Sequence, residues 1–240
     1  MIDSKELIKR LISAALSMKD AQDELDAIDA EYEGAKHSSN NNRIADAIID
    51  ALTSRLAAGT AAKKPAAPAD EAAPAAGVLS IQDILSGVVK SVGKVDNSTT
   101  ASLWSSWLSG LMDAAPADSD KVDDDGLKKM FAGAFQALDA KSGAKQGDKT
   151  LMDAIIPASR VFAEAKSGDS IQSLFSLAAA AALEGADSTK DLEGKYGRSA
   201  KKANKGVGTK DAGAVSMASF FRGLADIMDS AQDGTQDDAE

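Results

Sequence analysis

Apolar residues recur along most of this chain at steps of three and four, which is the spacing of one face of an α-helix. The first such stripe follows Asp3 and Ser4, either of which is a suitable N-cap, and Ser80 is the expected N-cap of a later helix. Trp104 and Trp107 lie three apart on another stripe, which predicts that both belong to the core.

The same spacing predicts further helices in the last third of the chain, over residues 151–165, 171–186, 192–203 and 212–228. Alanine is abundant and β-branched runs are short, which favours helices packed closely through small side chains over a sheet. The pattern therefore predicts an all-α fold of about eight amphipathic antiparallel helices, arranged as an up-and-down bundle or barrel without strands.

Two biased stretches interrupt this helical pattern. Residues 57–77 are rich in alanine and proline, which predicts a flexible insertion. Residues 231–240 are acidic and are predicted to form a disordered tail. The helical domain is accordingly expected to comprise residues 1–230.

Composition narrows the classes of function. The formal net charge of −10 argues against nucleic acid and anionic membranes as partners. The chain has no cysteine and one histidine, which excludes disulfides, thiolate metal sites and polyhistidine metal sites. No apolar run approaches the roughly 20 residues that span a bilayer, and the N-terminus lacks the layout of a signal peptide. We therefore expect a cytoplasmic protein.

A glycine-bearing loop near the C-terminus carries the first candidate chemistry. It contains Arg198 and Asp211, and it leads into a helix at Ala212. Glycines permit close approach of the backbone to a ligand, and a helix N-terminus favours anions, so this loop is suited to a phosphate or a nucleotide. On the local pattern alone, an ordinary connection between two helices with charged ends is the favoured interpretation, because short glycine-rich loops are weak signals.

Two segments resemble a known family in the same order along the chain. From Gly147 to Ala158 the sequence reads Gly-Asp-Lys-Thr-Leu-Met-Asp-Ala-Ile-Ile-Pro-Ala, which resembles the segment Gly-Asp-Lys/Arg-Thr-Met-x-Asp-Ala-x-x-Pro of dihydroxyacetone kinases. The loop from Arg198 to Ala214 is similar to their Gly-Arg-Ala-Ser…Gly-x-x-Asp-Pro-Gly-Ala. The resemblance is to the nucleotide-binding L subunit, or to the C-terminal domain of single-chain forms. It implies an eight-helix barrel that binds ADP or ATP in the loops at one end.

The resemblance also implies which residues contact the nucleotide. The implied binding residues are His37, Ser38, Asn40, Thr99, Thr100, Gly147, Arg198, Asp211, Ala212 and Gly213. The loop that carries Thr99 and Thr100 has lost the glycine pair and the proline of the family. These two threonines are therefore either phosphate-binding hydroxyls or helix caps.

The metal-binding loop of the family is the segment that departs most. In the family, three aspartates hold two magnesium ions on the phosphates. Here the first is kept as Asp29, while Gly34 and Lys36 replace the second and third. One carboxylate is a poor ligand set for two hard cations, so Mg²⁺ binding is in doubt. Glu31 and Glu33 would supply oxygens only if the loop shifted. Lys36 is either a substitute contact to the β-phosphate or a solvated surface lysine.

These features lead to two hypotheses for function. The first is a nucleotide-binding subunit that presents the phosphoryl donor to a ketose-binding kinase subunit, with weak or lost activity because the metal site is degraded. The alternative is a non-catalytic helical scaffold or regulatory relative of that subunit. A helical protein that binds an unrelated ligand has no specific support in the sequence.

Overall fold

In the computed structural model, apolar stripes form helices almost everywhere that their spacing predicts them. The structure describes residues 1–61, 79–96, 98–166 and 168–226, without the side chains of residues 57–61. The helices within these residues are α1 Ser4–Asp20, α2 Gln22–Ala30, α3 His37–Ala61, α4 Ile81–Val92, α5 Thr99–Asp113, α6 Asp124–Ser142, α7 Met152–Glu164, α8 Ile171–Ser188 and α9 Ala212–Ala225. Two short 3₁₀ turns, Thr189–Asp191 and Ser199–Lys201, lie between α8 and α9.

Side-chain caps define where several helices begin. The Asp3 carboxylate accepts a hydrogen bond from the Glu6 N–H at the start of α1, so Asp3 rather than Ser4 is the cap. Ser80 caps α4 as predicted, by accepting from the Asp83 N–H. Further side-chain caps are Ser98 for α5, Asp123 for α6, Ser170 for α8 and Asp211 for α9. Each cap satisfies a backbone donor that the first helical turn leaves without a partner.

Eight of the helices close into a ring around one core. Going around the ring, each helix packs on the next in the order α1, α3, α4, α5, α6, α7, α8, α9, and α9 packs back on α1. The remaining helix, α2, lies outside the ring against α3 and α9. The all-α barrel of about eight helices is thus confirmed, and it is an up-and-down arrangement.

Small residues bring some of these helices into very close contact. A Cβ added to Gly110 of α5 would lie 2.3 Å from the Gly133 carbonyl oxygen of α6. A Cβ on Gly223 of α9 would lie 2.4 Å from the Ala14 Cα of α1. Aromatic rings fill the space between the more distant helices; they belong to Trp104, Trp107, Phe131, Phe162, Phe175, Phe220 and Phe221. Both tryptophans are buried, as predicted.

Two details of the prediction were wrong. The chain contains a two-residue antiparallel ladder, β1 (Ile2–Asp3) with β2 (Lys121–Val122), which pairs Ile2 with Val122. The helix predicted over 192–203 is an irregular loop with one 3₁₀ turn, because Gly197 adopts a left-handed conformation with φ of 62° that ends any helix there.

The predicted insertion and tail are only partly described. Helix α3 continues through Ala61, so its last turn enters the stretch predicted as a flexible insertion over 57–77. Residues 62–77 of that stretch, the tail at 231–240 and the end of the last predicted helix at 227–228 lie outside the described residues. Among the helices that the structure describes, none is both long enough and apolar enough to cross a membrane.

Candidate functional site

A cavity of about 520 Å³ opens at one end of the barrel. The up-and-down arrangement directs the N-termini of α3, α5 and α9, and the turn that leads into α7, toward this end. Residues from each of these four places line the cavity, namely His37, Thr99, Leu151 and Ala212. The free N–H groups and the dipoles of helix N-termini favour negative charge, so the backbone alone makes this cavity attractive to an anion.

The charged side chains of the cavity add to this preference. Four cationic side chains line it, and they belong to Lys141, Lys149, Arg198 and Lys210. Only two carboxylates do so, those of Asp29 and Asp211. An excess of positive charge is notable in a chain whose formal net charge is −10. The local charge favours an anionic ligand that the protein as a whole would repel.

His37 forms the centre of one cavity wall. Its Nε2 lies 2.9 Å from Ser216 Oγ of α9, and its Nδ1 lies 3.4 Å from Thr100 Oγ1 of α5. Burial lowers the pKa of His37 to about 4; the Asp29 carboxylate opposes this shift and the Arg198 guanidinium adds to it. His37 is therefore a neutral imidazole at pH 7, able to donate from one nitrogen and accept at the other.

The loop between α2 and α3 does not provide a set of metal ligands. Asp29 lines the cavity, but one of its oxygens already accepts from the Ser38 N–H at 2.9 Å. Lys36 is exposed and does not line the cavity. Glu33 is exposed, and Glu31 forms an ion pair with Lys202 at 3.3 Å.

The side chains around the cavity can be compared with the ligands that Mg²⁺ requires. Within the described ranges, no group of three or more histidine, cysteine, aspartate or glutamate side chains is placed to hold a metal ion. Mg²⁺ prefers oxygen ligands, usually carboxylates together with phosphates. One carboxylate beside an excess of cations does not fit the two magnesium ions that the resemblance implies.

Lys149 organises a second wall of the cavity. It is 1% exposed and adopts a left-handed backbone conformation with φ of 59°. Its ammonium group donates hydrogen bonds to the backbone carbonyl oxygens of Thr189 and Thr209. Burial lowers the pKa of Lys149, while the neighbouring carboxylates, first that of Asp211, raise it. Lys149 thus joins two loops that are also linked directly, by hydrogen bonds of 2.8 Å from the Asp211 N–H to Thr189 Oγ1 and from the Gly208 N–H to the Lys190 carbonyl oxygen.

Two carboxylates fix the backbone around Lys149. Asp153 accepts from the N–H groups of Gly147 at 2.5 Å and Thr150 at 2.8 Å, which closes the turn before α7. Asp211 caps α9 by accepting from the Ala214 N–H at 2.8 Å. Burial raises the pKa of Asp211 to about 6, whereas its backbone hydrogen bond and Lys149 oppose the rise. Lys149, Asp153 and Asp211 therefore stabilise the conformation of the loops in this wall.

Most of the predicted binding residues meet at the cavity, although they come from distant parts of the sequence. Those that line it are Asp29, His37, Thr99, Thr100, Arg198, Asp211, Ala212 and Gly213. The others lie behind or beside its wall. Ser38 is buried against Asp29, Asn40 is partly buried on α3, and Gly147 is bonded to Asp153.

The structure also answers the open alternative for Thr99 and Thr100. Ser98 caps α5, which leaves the hydroxyls of Thr99 and Thr100 to face other groups. Arg198 pairs with no carboxylate among the described residues, and its Nη2 instead donates to the Gly34 carbonyl oxygen at 3.2 Å.

Several cavity residues were not predicted from the sequence. Lys149 lies inside the Gly-Asp-Lys-Thr segment, so the motif itself was the available signal. Lys141, at the end of α6, and Tyr196 carry no motif, and only the fold brings them to the cavity. Apolar side chains of Ile28, Leu103 and Trp104 line it as well.

Comparison with known proteins places this arrangement in a family. Residues 58–226 match the model of the DAK2 domain. The chain is 32% identical to a D-erythrulose kinase of Mycolicibacterium smegmatis over 92% of this chain and 35% of that protein. It is 40% identical to an L-erythrulose kinase of Pectobacterium atrosepticum over 36% of this chain and 15% of that protein. It thus spans about a third of the length of the first relative.

A solved structure shares the fold. The crystal structure of the dihydroxyacetone kinase from C. freundii in complex with AMP-PNP and Mg²⁺ superposes with a TM-score of 0.57 and 19% identity, over 92% of this chain and 33% of that one. At this identity the likeness concerns the fold. Since the domain model covers most of the chain, the protein belongs to the DAK2 domain family.

Proposed function

We propose that this chain is the nucleotide-binding domain of a small-ketose kinase. It holds ADP or ATP in the cavity at the end of the barrel and presents the phosphoryl donor to a partner that holds the ketose. The observation that carries the proposal is the convergence of helix N-termini and cationic side chains on one cavity, built largely from the loops that match the family.

The cavity suits both halves of a nucleotide. Its volume of about 520 Å³ lies within the range that is usual for cofactor sites. Ile28, Leu103 and Trp104 provide an apolar surface for a base, whereas Arg198 and the helix N-termini provide donors for phosphates. A nucleoside diphosphate requires both kinds of surface.

The acceptor substrate requires a second domain or subunit. The relatives are named for erythrulose and dihydroxyacetone, and this chain covers about a third of the first of them. In the family that the sequence resembles, a separate domain holds the ketose covalently through a histidine. The only histidine of this chain is His37, which lies in the cavity wall. We therefore propose a ketose-binding partner.

A second candidate is a non-catalytic or regulatory relative that binds nucleotide without transferring phosphate. The specific observation in its favour is the loss of carboxylates at Gly34 and Lys36, because phosphoryl transfer depends on neutralising charge on the phosphates. Phosphorylation of dihydroxyacetone, measured with a purified ketose-binding subunit and Mg-ATP, separates the two candidates. We expect weak or absent turnover, and full turnover would favour the kinase.

Calorimetric titration of ADP into the intact chain tests nucleotide binding itself. We expect saturable binding that Thr99→Trp weakens by about tenfold or more, because the indole would occupy the rim of the cavity. Thr53→Trp is the matched control, since Thr53 is exposed on α3 and does not line the cavity. Absence of ADP binding in every buffer, or equal weakening by the two substitutions, would contradict the proposal.

A further inference from the structure

We infer that this cavity neutralises the phosphates of its nucleotide with the guanidinium group of Arg198 and the ammonium group of Lys141, without magnesium ions. The inference rests on the proposed function, because it concerns how the same cavity holds the same ligand. It replaces the sequence-based interpretation of Lys36 as the substituting cation, since Lys36 is exposed and does not line the cavity.

Arg198 lies against the loop where the family carries its metal ligands. Its Nη2 donates to the carbonyl oxygen of Gly34, the position at which the resemblance places the second aspartate. Its charge is also close enough to His37 to contribute to the lowered pKa of that imidazole. A guanidinium group has five N–H donors, so this single hydrogen bond leaves several for a phosphate.

Lys141 lines the cavity from the last turn of α6. Its side chain is exposed, and within the described part of the chain it forms no ion pair. It is therefore available to an anion that enters the cavity. An ammonium group there acts as a mobile point charge, in contrast to the planar guanidinium of Arg198.

The other two cations of the cavity are engaged elsewhere. The ammonium group of Lys149 donates to the carbonyl oxygens of Thr189 and Thr209. Lys210 pairs with Glu24 at 2.8 Å and with Asp187 at 2.6 Å. Because the donors of Lys149 and Lys210 are occupied by protein groups, the contact with the phosphates is assigned to Arg198 and Lys141.

The same charges that attract phosphate also repel a divalent cation. The Asp29 carboxylate accepts a backbone hydrogen bond, and the helix N-termini contribute further positive potential. A guanidinium group beside the Gly34 loop raises the free energy of a magnesium ion placed there. The structure is therefore electrostatically suited to a nucleotide that arrives without its metal.

Calorimetry of ADP binding to the intact chain, in EDTA and in Mg²⁺, tests the inference. We expect dissociation constants in the two buffers that agree within about twofold. In EDTA, Arg198→Ala and Lys141→Ala are each expected to weaken binding by about 10-fold to 100-fold, because each removes a charged hydrogen-bond donor. Arg160→Ala is the matched control, since Arg160 is exposed on α7 and does not line the cavity.

The outcomes distinguish failure of the inference from failure of the proposed function. Binding of ADP in Mg²⁺ but not in EDTA would overturn metal-independent binding and leave the nucleotide-binding function intact. Absence of binding in both buffers would overturn both. Weakening by Arg160→Ala equal to that by Arg198→Ala would show an effect of overall charge and overturn the assignment. If Arg198→Ala fails to fold by circular dichroism, Arg198→Lys and Lys141→Ala provide the same test.

Discussion

The two walls of the cavity differ in what holds them together. The wall that carries Lys149 and Asp153 is fixed by buried hydrogen bonds between side chains and backbone. The wall formed by the loop from Asp29 to His37 has a partly buried bond from the Ser38 N–H to Asp29 and an exposed bond from Arg198 to the Gly34 carbonyl oxygen, and its remaining polar residues are largely exposed. The first wall carries a segment that resembles the family, whereas in the second the resemblance implies three carboxylates, of which Asp29 alone is present.

This difference shows which family residues are structural and which depend on ligand. Lys149 and Asp153 are buried and form hydrogen bonds to backbone groups of the surrounding loops, so we expect their replacement to destabilise this wall. Carboxylates that bind a metal stabilise little when the metal is absent, because they lie in solvent. A domain that did not depend on magnesium could therefore lose the second kind of residue and keep the first.

The largest expected effect follows from breaking the Lys149 wall. Lys149→Met would remove the charged donor from both carbonyl oxygens, leaving that of Thr189 with only the Leu192 N–H, and we expect it to lower the free energy of unfolding by about 3 kcal/mol. Urea denaturation measures this value. Lys36→Met is the matched control on the other wall, where the exposed lysine is expected to leave stability essentially unchanged. Equal losses in the two variants would refute the contrast between the walls.

A smaller effect is expected from the titration of His37. Its folded pKa of about 4 lies below the usual 6.5, so the unfolded chain binds a proton more readily between these values. The contribution of neutral His37 to stability is therefore present above pH 6.5 and is lost as the pH falls toward 4. Relative to His37→Gln, we expect the native protein to lose about 2 kcal/mol over this range.

The comparison with His37→Gln is needed because Asp211 titrates in the opposite direction. Its folded pKa of about 6 exceeds the usual 3.8, so its contribution to stability is lost as the pH rises through this window. Urea denaturation of the native protein and of His37→Gln at several pH values isolates the contribution of the imidazole to the free energy of unfolding. A difference in stability between the two proteins that does not change from pH 7 to pH 4 would contradict the lowered pKa.

The smallest effect is expected from rebuilding the lost carboxylates. Gly34→Asp with Lys36→Asp restores the family pattern, and we expect Mg²⁺ to strengthen ADP binding by about tenfold in this variant but not in the native chain. A Cβ at Gly34 meets no atom within 4 Å, and aspartate tolerates its φ of 66° better than most residues. Gly34→Asn with Lys36→Gln is the uncharged control. A similar response to Mg²⁺ in both variants would argue against a carboxylate effect.

Much of the helical architecture follows from local signals. The stripes of apolar residues and the caps at Asp3 and Ser80 depend only on residues that are close together in the sequence, which is why they can be predicted. The segment over 192–203 misled the prediction because its apolar spacing resembles a helix. Gly197 in a left-handed conformation overrides that spacing.

The cavity depended on contacts that no local signal encodes. Most of the helices, the absence of thiol chemistry and the lack of carboxylates at Gly34 and Lys36 can be read from the sequence. Only the tertiary structure brought Arg198 to the Gly34 carbonyl, across 164 positions of sequence, and placed Lys141 at the cavity while leaving Lys36 outside it. The physical reason is that closing the ring of helices, through burial of their apolar faces, decides which helix ends meet.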